Sequence, residues 1–269
     1  MSQSVLLVGC GNMGFALLQG WMRQTPAPAL HVVEPDEALR ERAATAGALA
    51  VCDVASLPPD YTPDMIVLAV KPQVIAAVLP NYGRWAGDKT VFLSVAAGIG
   101  IAIIEQALGR PTPVMRCMPN TPASIGAGVM AVCANGHVSR AQAAFANRLL
   151  AAGGIVVEIT DERMMDGVTA ISGSGPAYLF LFIEALAAAA VKIGLPEPVA
   201  GQMALQTIYG AAMLAAQSGE PAEALRRKVT SKGGTTAAAL GVLMEGNALS
   251  SLLADAVRAA WQRAVELGK

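Results

Sequence analysis

One junction near the N-terminus constrains the fold more than any other stretch. Ser4-Val5-Leu6-Leu7-Val8 is short, apolar and partly β-branched, and it breaks at Gly9. Gly9-Cys10-Gly11-Asn12-Met13-Gly14 follows, and Phe15 to Arg23 then reads as a helix. Strand, glycine turn and helix in that order are the setting in which G-x-G-x-x-G marks a dinucleotide site. Gly9 permits the tight turn, Gly11 lets the backbone approach a pyrophosphate, and Gly14 lets the helix pack closely on the strand. The helix start aims free N–H groups and the positive end of its dipole at phosphates. Without that setting, the glycines alone also fit a turn in an ordinary α/β protein.

The next segments repeat the alternation of strand and helix. Pro26 and Pro28 mark a loop, and Leu30 to Val33 reads as a second strand ending at Glu34-Pro35. Glu34 lies twenty positions after Gly14 (34 − 14 = 20), the spacing at which an acid accepts hydrogen bonds from an adenosine ribose. A carboxylate there repels a 2′-phosphate, so the position by itself leans toward NADH. The plainer reading is a solvated acid at a strand end. A helix from Glu37 to Ala46 stops at Gly47, and Met65 to Val70 is a buried strand closed by Lys71-Pro72. Thr90 to Val95 opens into Ala96-Ala97-Gly98. Pro113 to Met118, Gly128 to Val132 and Ile155 to Ile159 complete the sheet, with a helix near Ser139 to Ala152. Gly9, Glu34, Lys71 and Ser94 all fall at strand carboxyl ends, where an open parallel sheet binds its ligands.

From Asp161 onward no strand is evident, and the helices are broken at Gly173 to Pro176, Gly194 to Pro198, Gly219 to Pro221 and Gly246-Asn247. The expected architecture is an α/β Rossmann-type doubly wound domain over 1–160, followed by an all-α domain over 161–269. Thr230-Ser231-Lys232-Gly233-Gly234-Thr235-Thr236 leads into a helix from Ala237 to Glu245. Hydroxyl residues at a helix start serve as caps, which is the plain reading of Ser231 and Thr235. Such an end also receives an anion such as a carboxylate, with Thr236 free to face a polar ligand atom. Asp161, Glu162 and Asp166 begin a helix, where acids favour the dipole, and are read as structural.

Composition narrows the function classes. Charged residues make up 14 % of the 269 and hydrophobic residues 54 %, against about 25 % charged in typical domains. A chain so poor in charge hides surface in a subunit interface, for which the apolar stretch Ala177 to Leu195 is the best candidate. Interrupted by Glu184 and Lys192, that stretch reads as too short for a bilayer. A net charge of −1 provides no footprint for nucleic acid. The four cysteines, 10, 52, 117 and 133, form no C-x-x-C and read as reduced thiols of a cytoplasmic protein. Two histidines, 31 and 137, make no metal set. No acid–base pair stands out, Lys71 included, so the chemistry falls to a redox cofactor.

Together these stretches resemble the pyrroline-5-carboxylate reductases. The resemblance is carried by Gly9–Gly14, Ala69-Val70-Lys71-Pro72, Ser94 to Gly98, Met115 to Pro122, Gly173 to Tyr178 and, most specifically, Val229 to Thr236. It implies reduction of the C=N bond of 1-pyrroline-5-carboxylate by NADPH or NADH, giving L-proline. Nucleotide contacts would map to Val8, Gly9, Cys10, Gly11, Asn12, Met13 and Gly14, to Ala69, Val70, Lys71 and Pro72, and to Ser94, Val95 and Ala96. Substrate contacts would map to Ser231, Gly233, Gly234, Thr235 and Thr236, with the Thr236 hydroxyl at the ring nitrogen. The resemblance further implies a homodimer interlocked through the helical domain and larger rings of dimers. Many members carry Asn-Arg or a similar pair where this chain has Glu34-Pro35, so the family favours NADPH and the local charge favours NADH. Two rival readings remain open at this point. One is a hydroxyacid dehydrogenase, which would want a lysine base such as Lys192 or Lys228. The other is a nucleotide sensor without turnover.

Overall fold

The computed structural model describes residues 3–268. Two compact units are present: residues up to Ser174 with those from Ala260 onward, and Gly175–Ala259. In the first, β1 (Ser4–Val8), α1 (Asn12–Met22), β2 (Ala29–Val33), α2 (Glu37–Thr45) and β3 (Leu49–Val51) alternate as expected. They continue into β4 (Met65–Leu68), α3 (Ile75–Val78), β5 (Val91–Ser94), α4 (Ile101–Leu108), β6 (Val114–Pro119), β7 (Gly128–Ala134), α5 (Arg140–Leu150), β8 (Gly154–Glu158) and α6 (Met165–Val168).

Among the described residues eight strands form one sheet in the order β3-β2-β1-β4-β5-β6-β7-β8. The order reverses at β1, whose register pairs Val8 with Val33 on one side and with Leu68 on the other. Pairing is parallel except between β6 and β7. Only the turn Asn120–Ala127 joins β6 to β7, too short for a crossover to a parallel neighbour.

Period-two alternation sorts each strand's side chains onto two cores. Val5, Leu7, Val32, Met65, Val67, Val91 and Leu93 pack with Leu17, Leu18 and Trp21 of α1 and Phe145 and Leu149 of α5. Leu6, Val8, Ile66, Leu68 and Phe92 pack on the other face with Ile75, Leu79, Ile101 and Ile104. The continuous apolar runs of β1 and β4 are thus explained, since both faces are covered.

Boundaries differ in instructive ways. The first helix begins at Asn12, three residues earlier than read, because Gly11 is its extended N-cap. Asp36 caps α2 by accepting from the Leu39 N–H, and Ser139 and Gln142 form a capping box on α5. β3 was not anticipated, being only three residues of an edge strand. Glu162 accepts from the Ile101 N–H at 2.9 Å and from Arg116 Nη1 at 3.1 Å, tying the start of α4 to β6.

The glycine cluster at Gly173 follows a π-helical turn, Thr169–Gly173, after which the helix resumes at Gly175. The second unit consists of α7 (Gly175–Lys192), α8 (Glu197–Ser218), α9 (Ala222–Lys228), α10 (Thr235–Met244) and most of α11 (Ala248–Leu267). α7 packs on α8 but buries none of its residues, and it leaves Leu179, Phe180, Leu181, Phe182 and Leu186 exposed. Among the described residues, the helical runs 162–192 and 235–267 are long and apolar enough, by length and composition, to cross a membrane. The first is longer than the sequence reading allowed, since the helix starts upstream of the apolar stretch.

Candidate nucleotide site and hydroxyl-rich loop

A cavity of about 580 Å³ opens at the carboxyl ends of β1, β2 and β4. It brings together Val8, Gly9, Gly11, Glu34, Ala69, Val70 and Lys71, which come from three separate stretches of sequence. The turn needs its glycines. Gly9 has φ +86°, and a Cβ there would sit 2.7 Å from Val70 Cγ1. A Cβ on Gly14 would collide with the Gly9 carbonyl and lie 3.3 Å from Ala69 Cβ. Gly11 differs: nothing lies within 4 Å of the position its Cβ would take. The open space stands beside an α1 N-terminus that has no side-chain cap. Unsatisfied N–H groups at a helix start, facing space a side chain would fill, suit a pyrophosphate.

The turn is held from both sides. Gly9 N–H donates to the Val33 carbonyl at 2.9 Å. Cys10 N–H donates to Glu34 Oε2 at 2.6 Å, and the Asp36 N–H donates to Glu34 Oε1 at 3.0 Å. Arg42 Nη2 donates to the Cys10 carbonyl at 2.7 Å, with its guanidinium 4.0 Å over the Phe15 ring. Glu34 is therefore buried and engaged, not the solvated strand-end acid of the plainer reading. Burial raises the Cys10 thiol to about 11, with the Arg42 charge opposing and Glu34 adding to the rise. At neutral pH Cys10 is a neutral side chain and no nucleophile.

Other expected positions do not line this cavity. Cys10 lies behind the turn, and Asn12, Met13, Gly14, Pro72, Ser94, Val95 and Ala96 are absent from its wall. Ser94, Val95 and Ala96 are buried, with Ser94 Oγ accepting from the Ala96 N–H at 3.3 Å. The wall also includes residues that sequence reasoning missed: Leu39, Cys52, Asp53, Val54, Val74, Val78, Asn81 and Tyr82. Cys52 and Asp53 follow directly on the carboxyl end of the unanticipated β3. Tyr82 lies in a 3₁₀ run, Leu79–Trp85, which carries no helical or strand period. Arg42 was missed as well, although its place in the last turn of an amphipathic helix offered no signal.

In the second unit, Gly234 N–H donates to the Ser231 carbonyl at 3.1 Å and Gly233 has φ +74°. α10 begins at Thr235 with Gly234 as its N-cap and no side-chain cap. Ser231 and Thr235 thus do not cap this helix, contrary to their plain reading. Ser231 and Thr235 are exposed and Thr236 is half-buried. Lys228 is paired with Glu220 at 2.7 Å on the surface of this unit.

Two family models match separate stretches of the chain. Residues 162–267 match a family model described as pyrroline-5-carboxylate reductase dimerisation, and residues 4–98 match one described as NADP oxidoreductase, coenzyme F420-dependent. A pyrroline-5-carboxylate reductase of Pseudomonas aeruginosa is 42% identical over 267 residues, covering 98% of this chain and 97% of the relative. The Escherichia coli K12 enzyme of that name is 35% identical, with 91% of each chain covered. Among solved structures, a pyrroline-5-carboxylate reductase from Coxiella burnetii superposes with a TM-score of 0.94 at 33% identity over 100% of both chains. A Plasmodium falciparum pyrroline carboxylate reductase with NADP bound superposes at 0.83, with 31% identity over 99% of this chain and 98% of that one.

Proposed function

Because the chain belongs to the pyrroline-5-carboxylate reductase family, we propose that it reduces 1-pyrroline-5-carboxylate to L-proline with NAD(P)H, the last step of proline biosynthesis. The observation that carries this reading is the convergence of the glycine turn, Glu34 and Ala69–Lys71 on one cavity at the strand ends. A nicotinamide bound there would supply the hydride, which the carbon of a protonated C=N bond would take up to give CH–NH, the nitrogen keeping its proton. A protonated imine already attracts hydride, so the protein chiefly positions the reactants, an effect worth roughly 7–11 kcal/mol of barrier.

In this reading Val8 through Gly14, Glu34, Ala69 through Pro72 and Ser94 through Ala96 hold the nucleotide, the last three through backbone placement. Ser231, Gly233, Gly234 and Thr235 hold the substrate carboxylate, and Thr236 presents its hydroxyl to the ring nitrogen. Residues 1–160 form the nucleotide domain and 161–269 the substrate and dimerisation domain. The exposed apolar residues of α7 and the dimerisation match support a homodimer interlocked through the helices, with rings of dimers as the higher assembly. Those faces are read as protein interface and not as membrane anchor. Free cysteines throughout support a cytoplasmic setting.

The test is steady-state oxidation of NAD(P)H in the presence of pyrroline-5-carboxylate, with proline measured as product. Thr236→Ala is expected to lower kcat while the melting temperature holds. Unchanged kinetics would remove Thr236 from the mechanism, and no oxidation by wild type would refute the function.

A further inference from the structure

The Glu34 carboxylate is bound on both oxygens by backbone N–H groups, one from the glycine turn and one from the start of α2. It also lines the cavity wall and is 7% exposed. A carboxylate held this way cannot swing aside to admit a second anion. The neighbouring guanidinium groups are engaged with backbone carbonyls. Arg40 Nη1 donates to the carbonyls of Glu34 and Pro35 at 3.0 and 2.9 Å, and Arg42 donates to that of Cys10. A 2′-phosphate entering here would meet a fixed negative charge in a wall that holds Lys71 but no arginine, whereas a ribose diol would meet an acceptor.

We propose that Glu34 is one residue with two tasks: it latches the Cys10 peptide of the phosphate-binding turn and, from that fixed position, selects NADH over NADPH. The inference rests on the nucleotide site proposed above. The two tasks are coupled. Because the turn's own N–H holds the carboxylate in place, removing the carboxylate loosens the turn and opens the site to the phosphorylated cofactor together. The cost of a change at this position therefore falls mostly on NADH.

The experiment is calorimetric titration of the full-length protein with NADH and with NADPH, alongside hydrogen exchange at the Cys10 amide, in wild type, Glu34→Ser and Glu34→Gln. Wild type is expected to bind NADH at least about tenfold more tightly, or 1.4 kcal/mol. In both variants that ratio is expected to fall by about tenfold or more, and the Cys10 amide to exchange faster. Tighter binding of NADPH by wild type overturns the proposal whatever the variants do. Equal loss of both cofactors in the variants also overturns it, leaving Glu34 only a latch. Binding of neither cofactor by wild type refutes the nucleotide site itself, a result distinct from a wrong preference.

Discussion

Replacing Gly11 and Gly14 one at a time separates a glycine needed for ligand approach from one needed for folding. Gly11 has φ −61°, which alanine adopts freely, and its Cβ would meet nothing within 4 Å. Alanine lowers the entropy of the unfolded chain, worth about 0.4–1 kcal/mol. It is a poorer N-cap than glycine, at a cost of up to about 1 kcal/mol. These terms nearly cancel, so Gly11→Ala should melt within roughly 3 °C of wild type. Its methyl group nevertheless occupies the space meant for a pyrophosphate. Crowding of that kind costs about 1–3 kcal/mol, or roughly five- to 150-fold in affinity. Gly14→Ala behaves differently, since its Cβ strikes the carbonyl of Gly9, and the turn cannot shift without breaking the bond from Gly9 N–H to Val33. The clash outweighs a helix-propensity gain of about 1 kcal/mol, and the melting temperature should drop by about 3–10 °C. Differential scanning fluorimetry reads the first quantity and titration with NADH the second. Wild-type affinity in Gly11→Ala would show that no pyrophosphate lies against this turn.

Three further outcomes follow from the packing. Glu162→Ala leaves Arg116, 8% exposed, without its partner and frees the Ile101 N–H. After discounting for the 31% exposure of Glu162, the expected loss by chemical denaturation is roughly 2 kcal/mol; no change would mean the pair is only geometric. Trp21→Phe removes the donor to the Leu149 carbonyl at 3.1 Å in a fully buried site, with an expected loss of about 2–3 kcal/mol. His31 is held below its usual pKa by burial, its Nδ1 lacks a partner, and its ring packs 4.2 Å from Tyr61. The unfolded chain therefore binds the proton more readily. His31 contributes stability above about pH 6.5 that is lost as pH falls below that value, and His31→Phe should flatten that part of the stability profile.

Much of the architecture was legible because the central strands are buried on both faces. Met65–Val70 read as an unbroken apolar run, Thr90–Val95 as a further strand, and the glycine turn sits where strand and helix meet. What escaped the sequence lacked a period or a length. β3 has three residues, the Leu79–Trp85 run is 3₁₀, and the reversal of β7 depends on a turn whose geometry no hydrophobic pattern encodes. Glu34 was placed by spacing, but its two amide partners were invisible, since backbone donors leave no mark on residue type. The same reason hides Arg42, which serves a carbonyl. In the second unit glycine clusters located the loop at 230–236, whereas the capping roles assigned to its hydroxyls failed because Gly234 itself occupies the N-cap.

The most direct test of the central claim follows the hydride itself. NADH carrying deuterium at the transferable position of the nicotinamide is incubated with the protein and pyrroline-5-carboxylate, and the proline formed is examined by mass spectrometry. One deuterium retained on the ring carbon next to nitrogen is the predicted result. Unlabelled proline, or no proline while NADH is consumed, would contradict direct transfer from a nucleotide held by this chain to a cyclic imine.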